Sequence, residues 1–154
     1  MPNSNQSDAY SADLASGLAA FDAKNFAFAY QLLAPLAAQG NAEALWRLGM
    51  MQMNGLGMVK NQPLGFENFM LAAQQQHGFA HHMIGVAYMS GEGVEKDINQ
   101  AIKWFEKAAN KFALPGAAYA LGMLYEDGKE VEKDLEKAKS WYAQAEQNSE
   151  QISE

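Results

Sequence analysis

Apolar residues recur at helical spacing through the middle of the chain. Between residues 80 and 90 they return every three or four positions, which predicts a helix with one apolar face. Gly91 follows this segment, and a glycine just past a helix takes the left-handed conformation without a Cβ penalty. Asp97 is one of the residue types that cap helix N-termini, and a second apolar face follows over residues 98–111. The pattern therefore predicts two helices joined by a glycine-marked turn.

Recognisable copies of this unit lie on both sides of it. The central glycine of the first helix recurs at spacings of 36 and 37 residues, as Gly49, Gly85 and Gly122. Twelve positions after each glycine stands a residue of the N-cap type, and twenty positions after it stands an aromatic residue. Because several independent columns agree, the chain contains an internal repeat. The N-cap residues are Asn61, Asp97 and Asp134, and the aromatic residues are Phe69, Phe105 and Tyr142.

The repeated glycine inside a helix needs a packing explanation. Glycine in a helix interior costs roughly 1 kcal/mol relative to alanine. We expect the three glycines to let the second helix of each hairpin approach closely. The small residues expected at these crossings are Gly65, Ala101 and Ala138.

These residues resemble the Sel-one-like repeat family, a relative of the tetratricopeptide repeats. The pattern is A-x-x-x-L-G-x-x-Y, then G-x-G-V-x-x-D, then A-x-x-W-[FY]-x-x-A-A, and residues 80–109 fit it throughout with Ile84 for leucine. The resemblance implies an α-solenoid that acts as a protein-interaction scaffold. The first copy departs from the pattern at Gln52, Met58, Gly65 and Asn68, and the third departs at Glu130, where a glycine is expected, and at Glu146.

The resulting fold prediction is an all-α, right-handed α-solenoid of stacked antiparallel helix hairpins. We expect about eight helices in four hairpins, the first hairpin being a divergent repeat. Residues 1–10 are predicted to be a disordered tail, residues 11–147 a single repeat domain, and residues 148–154 a frayed C-terminus. The hairpins are expected at about 11–40, 42–77, 79–111 and 115–147.

Composition and charge narrow the function classes. The net charge is −7, and no basic patch is visible, which argues against nucleic-acid binding. No apolar run approaches the ~20 residues of a membrane span, and the first ten residues lack the features of a signal peptide. There is no cysteine, which rules out disulfides and thiolate chemistry and argues against the extracellular setting of disulfide-rich members of the family. We therefore expect a cytoplasmic protein without a membrane partner.

Catalytic and cofactor motifs are not found. Gly91-Glu92-Gly93 lacks the third glycine and the preceding strand of a dinucleotide loop, and no nucleophile elbow occurs. His77 and His81 have i,i+4 spacing, but Gly78 separates them and no carboxylate lies within nine residues. The histidines are therefore interpreted as solvated or interface residues, with no metal, no cofactor and no enzymatic activity expected.

The resemblance to tetratricopeptide repeats places a candidate binding surface on the first helices of the hairpins, which line the concave side. We call these groove-facing residues the first-helix stripe. It is apolar and methionine-rich, and methionine suits adaptable binding surfaces. The alternative is that the same methionines belong to the core. Arg47, beside the stripe, is predicted to hold a carboxylate of a protein or peptide partner. The stripe consists of Trp46, Met50, Met53, His82, Val86, Met89, Tyr119 and Met123.

A second function hypothesis starts from the uneven charge. Residues 1–90 contain eight charged side chains, whereas residues 91–154 contain twenty-one. The charge-poor half either reflects solvated helices later in the chain or presents a contact surface. Phe28 and Leu32 lie near the outer face of their helix, packed under the N-terminal residues or available for a partner. The alternative to an adaptor is therefore a self-assembling structural protein, possible as a homodimer through the N-terminal half.

Overall fold

A computed structural model describes residues 4–153, and this part of the chain contains eight α-helices and no strand. The helices pair two by two along the chain, the first with the second, the third with the fourth, and so on, and each pair forms a hairpin. The fold is an all-α helical repeat of the solenoid class, as predicted. The helices are α1 (Ser4–Asp22), α2 (Phe26–Ala38), α3 (Ala42–Asn54), α4 (Gln62–Gln74), α5 (Gly78–Ser90), α6 (Ile98–Asn110), α7 (Pro115–Asp127) and α8 (Leu135–Ile152).

The contacts divide the chain into two compact units. Unit 1 extends through His77 and holds α1 to α4, with α2 also packed on α3. Its most deeply buried side chains are Leu33, Met51 and Phe69. Unit 2 begins at Gly78 and holds α5 to α8, with α6 packed on α7. Its core is rich in alanine around Phe105, so its helices lie close together. The expectation of a single repeat domain over residues 11–147 stays a prediction.

The predicted helix caps are confirmed. The side-chain oxygens of Asn61, Asp97 and Asp134 each accept a hydrogen bond from the backbone N–H three residues later, at 3.0 to 3.2 Å. Each cap satisfies one of the N–H groups that a helix N-terminus leaves without a partner. Gly55 and Gly128 end α3 and α7 in the left-handed conformation, with φ of 67° and 68°.

The repeated helix glycine is confirmed as a position of close approach, but its main neighbour differs from the expectation. A Cβ on Gly49, Gly85 or Gly122 would lie 2.5 to 2.8 Å from carbon atoms of the repeated aromatic ring. The small residues do not make the closest contact, because the Cδ1 and Cε1 atoms of the aromatic ring on the second helix lie nearer to the glycine. The rings belong to Phe69, Phe105 and Tyr142.

The N-terminal helix is longer than predicted. α1 begins at Ser4, so residues 4–10 are helical rather than a disordered tail, and residues 1–3 lie outside the described part of the chain. Tyr10 is half-buried in a groove of about 730 Å³ that it shares with Leu32 and Pro35 of α2. Packing against α2 supplies the stabilisation that the polar sequence of these residues lacks.

The C-terminal helix is also longer than predicted. α8 continues to Ile152, so residues 148–152 are helical rather than frayed. Asn148 is buried, and its side-chain amide donates a hydrogen bond of 3.0 Å to the backbone oxygen of Ala109. This bond fixes the last turns of α8 to the end of α6.

Two departures from the repeat pattern compensate for each other. Gln52 and Asn68 replace the tyrosine and tryptophan of the other copies, and both are buried. Asn68 Nδ2 donates a hydrogen bond of 2.5 Å to Gln52 Oε1. Because buried amides without a partner are costly, the two substitutions are compatible with the fold only together.

Candidate binding surface

In unit 1, α3 carries three residues of the first-helix stripe. Trp46 and Met50 are half-buried, whereas Met53 is only 5% exposed and belongs to the core. Its assignment to a binding surface is therefore wrong. The cause is the glycine at position 65: α4 approaches so closely there that a Cβ on Gly65 would lie 3.0 Å from the backbone nitrogen of Met53.

Arg47 is engaged within the chain. Its Nη1 lies 3.0 Å from Asp22 Oδ1 and its Nε lies 3.1 Å from Glu43 Oε1. The guanidinium also lies over the rings of Phe21 and Trp46, at 4.7 and 4.6 Å from their centroids. Two carboxylates of unit 1 thus already bind Nη1 and Nε of Arg47, which argues against the prediction that it holds a partner's carboxylate. Asp22 lies 25 residues away, so no local pattern revealed the pair.

His77 has a carboxylate partner that the sequence did not indicate. Its Nε2 lies 2.6 Å from Glu43 Oε2, and its ring packs on the Trp46 indole with centroids 5.2 Å apart. The hydrogen bond from His77, together with Arg47, holds the pKa of Glu43 below its usual range, although partial burial opposes this shift. These side chains join the start of α3 to the end of unit 1.

The other two histidines lie in unit 2, and both pack against aromatic side chains of the chain rather than being fully solvated. His81 is fully buried, with its ring centroid 4.6 Å from that of Phe112 and 5.3 Å from that of Trp104. His82 is half-buried beside Phe105, with centroids 5.5 Å apart, and its buried Nδ1 makes no hydrogen bond within the described residues. Burial lowers the pKa of His82, so the neutral imidazole is favoured.

Over residues 4–153, no three histidine, aspartate or glutamate side chains converge in a way that could hold a metal ion. The same part of the chain has no helix both long and apolar enough to cross a membrane.

Unit 2 exposes the most accessible part of the first-helix stripe. Tyr119 and Met123 lie one turn apart on α7 and are 55% and 51% exposed. The Tyr119 ring packs against Tyr142 of α8, with centroids 5.3 Å apart. The Tyr142 hydroxyl donates a hydrogen bond of 2.6 Å to Glu126, which raises the pKa of Tyr142 to about 12. Val86 and Met89 of α5 are half-buried against the core of the unit.

A groove of about 750 Å³ opens beside Met123. Its floor is apolar and includes Met89, Ala120 and Leu124, so it joins part of the first-helix stripe of α5 to that of α7. Its rim is charged and mixed in sign, so the groove combines apolar contact with ion pairing. The rim consists of Glu126, Asp127, Lys129, Glu130 and Lys133.

Glu130 is a residue whose role sequence reasoning missed. Its Oε1 lies 2.6 Å from Nζ of Lys96, so it ties the turn after α7 to the turn after α5. The available signal was its departure from the repeat pattern, which has a glycine at this position. The departure reflects an ion pair between neighbouring hairpins rather than a defect in the turn.

The model of the Sel1 repeat matches residues 42–77, 78–111 and 115–149. The chain belongs to the Sel1 repeat family. Its three full hairpins, α3–α4, α5–α6 and α7–α8, coincide with the three matched repeats.

Two solved structures share the fold. A Sel1 repeat protein from Oxalobacter formigenes is 32% identical, with a TM-score of 0.76 over 86% of this chain and 54% of that one. The protein c5321, a protective antigen present in uropathogenic Escherichia coli strains and displaying an SLR fold, is 26% identical. Its TM-score is 0.81 over 92% of this chain and 31% of that one. The chain thus spans about half and about a third of their lengths. No curated protein matches the chain.

Sel1 repeats are generally non-catalytic scaffolds for protein–protein interaction. This is a property of the family, and the function of this chain is a proposal. The surface that this chain uses depends on its own side chains.

Proposed function

We propose that this Sel1 repeat protein is a non-catalytic adaptor that binds a peptide or protein segment through the first-helix stripe. The observation that carries the proposal is the exposed pair Tyr119 and Met123 on α7, beside an apolar groove. The other candidate residues are considered within each unit by itself: His82, Val86 and Met89 in unit 2, and Trp46 and Met50 in unit 1. Met53 and Arg47 are left out because their side chains are already engaged.

Physical chemistry supports a binding role for this pair. Two large apolar side chains exposed to about half on adjacent turns are unusual unless something covers them. Tyrosine is frequent among residues that dominate binding energy, and methionine adapts its shape to different partners. A segment with apolar anchors is the best fit, because the floor of the groove carries no charge. The concave position of the stripe stays a prediction from the family resemblance.

Affinity selection of a displayed peptide library tests the proposal. The full chain serves as bait, and selected peptides are then measured by calorimetry against Tyr119→Ala and Met123→Ala. Leu135→Ala is a matched control, because Leu135 is an apolar residue of unit 2 that is 58% exposed and lies outside the stripe. We expect the two stripe variants to lose tenfold or more in affinity and the control to lose little. Selected peptides that bind all three variants equally would refute the proposed surface.

Self-assembly through the N-terminal half is the second candidate, favoured by a specific observation in unit 1. Phe28 and Tyr30 of α2 are each 46% exposed, and the groove that holds Tyr10 lies between α1 and α2. Sedimentation velocity over a hundredfold range of concentration separates the candidates. A chain that stays monomeric throughout removes self-assembly, whereas a dimer lost in Phe28→Ser would favour it.

Three negative expectations accompany the adaptor proposal. They are the absence of nucleic-acid binding, the absence of a membrane partner and a cytoplasmic location. Each rests on composition, and cell fractionation together with a filter-binding assay with RNA and DNA would test them.

A further inference from the structure

Two hairpins of unit 2 use the same repeat position in different ways. His82 and Tyr119 both lie three residues before the repeated glycine. Each ring packs on the aromatic residue of its own second helix, Phe105 or Tyr142, at 5.5 and 5.3 Å between centroids. His82 is also approached from α7, because a Cβ on Gly116 would lie 3.6 Å from its Cε1. No described helix approaches Tyr119 in this way, which leaves it 55% exposed.

The helix that covers the α5 stripe shows what kind of surface fits there. Gly116 lies against His82, while Ala120 and Leu124 line the groove together with Met89. These three α7 residues are spaced by four, so they form one line along the helix. Two small residues followed by a larger one therefore face the α5 side of the groove, while the main packing partners of α7 are α6 and α8.

In unit 2, a lysine recurs five residues after the glycine that ends the first helix of each hairpin. Lys96 and Lys133 follow the glycines that end their first helices, Gly91 and Gly128, and both pack their Cβ atoms against the glycine position. Lys96 pairs with Glu130, in the turn that follows α7. Lys133 makes no ion pair within the described part of the chain, although it lines the groove.

The carboxylates on the same rim are already engaged. Glu126 accepts the hydrogen bond from Tyr142, Asp127 lies 3.4 Å from Lys129, and Glu130 lies 2.6 Å from Lys96. Two charges on the rim have no oppositely charged partner within the described residues, the negative one of Glu126 and the positive one of Lys133. Lys133 stands five residues after its helix-ending glycine, as Lys96 does, so it favours an acidic group in the position that Glu130 takes beside Lys96.

We propose that the surface formed by Tyr119 and Met123 of α7 and by Lys133 of the turn after it docks a helix of a partner protein built like the first helix of another hairpin of this repeat. The docked helix carries small residues at positions i and i+4 and a larger apolar residue at i+8. An acidic residue follows six positions later and pairs with Lys133, as Glu130 does with Lys96. The inference rests on the binding function proposed above and specifies its partner class.

The chain itself supplies the probe. A synthetic peptide of residues 115–132 contains the required spacing, namely Gly116, Ala120, Leu124 and Glu130. A hydrocarbon staple between its positions 118 and 122 keeps it helical and lies away from the 116–120–124 line. The peptide carries a fluorophore, and fluorescence anisotropy with the full-length chain measures its dissociation constant at low and at high salt.

A charge swap tests the ion pair. We expect Lys133→Glu in the chain, or Glu130→Lys in the peptide, to weaken binding about fivefold at low salt, and the two changes together to restore it. Tyr119→Ala in the chain is expected to weaken binding at least tenfold, whereas Leu135→Ala leaves it unchanged. Thermal melts of each variant confirm that its fold is intact.

Several results would overturn the inference. They are the absence of saturable peptide binding, binding that is insensitive to Tyr119→Ala, or a charge swap that fails to restore affinity. If library-selected peptides still bind the stripe in those cases, the adaptor function survives and only the partner class is wrong. A chain that dimerises on its own, and whose dimer is lost in Tyr119→Ala, would show that the occupant is a second copy, contrary to the proposal.

Discussion

Replacing Gly85 by alanine tests the contact that recurs in every full hairpin. In an exposed helix the change gains about 1 kcal/mol, because alanine has the higher helix propensity. Here the added Cβ would lie 2.8 Å from both Cδ1 and Cε1 of Phe105, well inside the roughly 3.5–4.0 Å of a favourable carbon–carbon contact. The Phe105 ring is completely buried and cannot swing into solvent. Its surroundings must therefore shift.

The expected result is a net loss of stability. Overpacking a well-packed core costs about 1–3 kcal/mol, which exceeds the gain in helix propensity over most of its range. After the gain in helix propensity is subtracted, we expect Gly85→Ala to destabilise the protein by about 1 kcal/mol. For a chain of this size the midpoint of thermal unfolding should fall by roughly 2–4 °C. Gly85→Leu adds three more carbon atoms at the same place and should cost more.

Circular dichroism at 222 nm, recorded against temperature and urea, measures the change. Gly116→Ala is the matched control, because Gly116 lies in a helix of the same unit. Its added Cβ would meet only the Cε1 atom of His82, at an ordinary contact distance of 3.6 Å. We expect this variant to be as stable as the wild type or more stable by up to about 1 kcal/mol.

The most direct test is whether the effect of Gly85→Ala on stability changes sign when the Phe105 ring is removed. In a Phe105→Ala background the ring is gone, so Gly85→Ala should become stabilising. If Gly85→Ala destabilises equally with and without the ring, the Phe105 contact is not the cause. A wild-type midpoint for Gly85→Ala would likewise show that the glycine is not a packing requirement.

Three further predictions concern buried polar groups. Gln52→Ala should cost about 1–3 kcal/mol in urea denaturation, because it leaves the Asn68 amide buried without its partner, and Asn68→Leu added to it should recover part of the loss. Burial lowers the folded-state pKa of His82, so only the unfolded state gains a proton as the pH falls through 6.5. The free energy of unfolding should therefore fall with decreasing pH until the folded-state pKa is passed. In urea melts, His82→Phe should remove this dependence of the free energy of unfolding on pH. The pKa of Glu43 is lowered mainly by the hydrogen bond from His77. The contribution of Glu43 to the free energy of unfolding is therefore present above pH 4.5 and is lost as the pH falls through the folded-state pKa. In urea melts, His77→Ala should reduce this loss of stability at acidic pH.

Periodic features of the molecule could be predicted from the sequence because each is a local requirement repeated three times. Asn61, Asp97 and Asp134 cap their helices as expected, since an N-cap acts on a backbone group only three residues away. The glycine column was correctly predicted to be a position of close approach. Its expected neighbour was a small residue, whereas the nearest atoms belong to the aromatic ring. Which of the two lies nearer depends on how the two helices cross. That geometry is not contained in the spacing of one column.

The site was predicted less well than the fold, because its errors depend on contacts that are distant in sequence. Arg47 was taken as available for a partner, but Asp22, which lies 25 residues away, binds its guanidinium together with the nearby Glu43. Met53 was placed on the surface, but close packing of α4 buries it. Repeat spacing gives the direction of a side chain relative to its own helix, whereas exposure depends on what the neighbouring helices present.

The same distinction explains both ends of the described chain. The first residues of α1 and the last turns of α8 look polar enough to be disordered. One packing contact, from Tyr10, and one buried hydrogen bond, from Asn148, keep them helical. Neither residue belongs to a repeated column, so no comparison between copies could reveal its role.

The ring-on-glycine contact also has a consequence for how the chain folds. Each glycine meets an aromatic side chain only twenty positions further along, and Gly17 meets Leu33 of α2 after sixteen. Contacts over such short loops form within microseconds to milliseconds and need little loop-closure entropy. Every hairpin therefore carries its own nucleus, and native-state hydrogen exchange should show amide protection lost hairpin by hairpin rather than all at once.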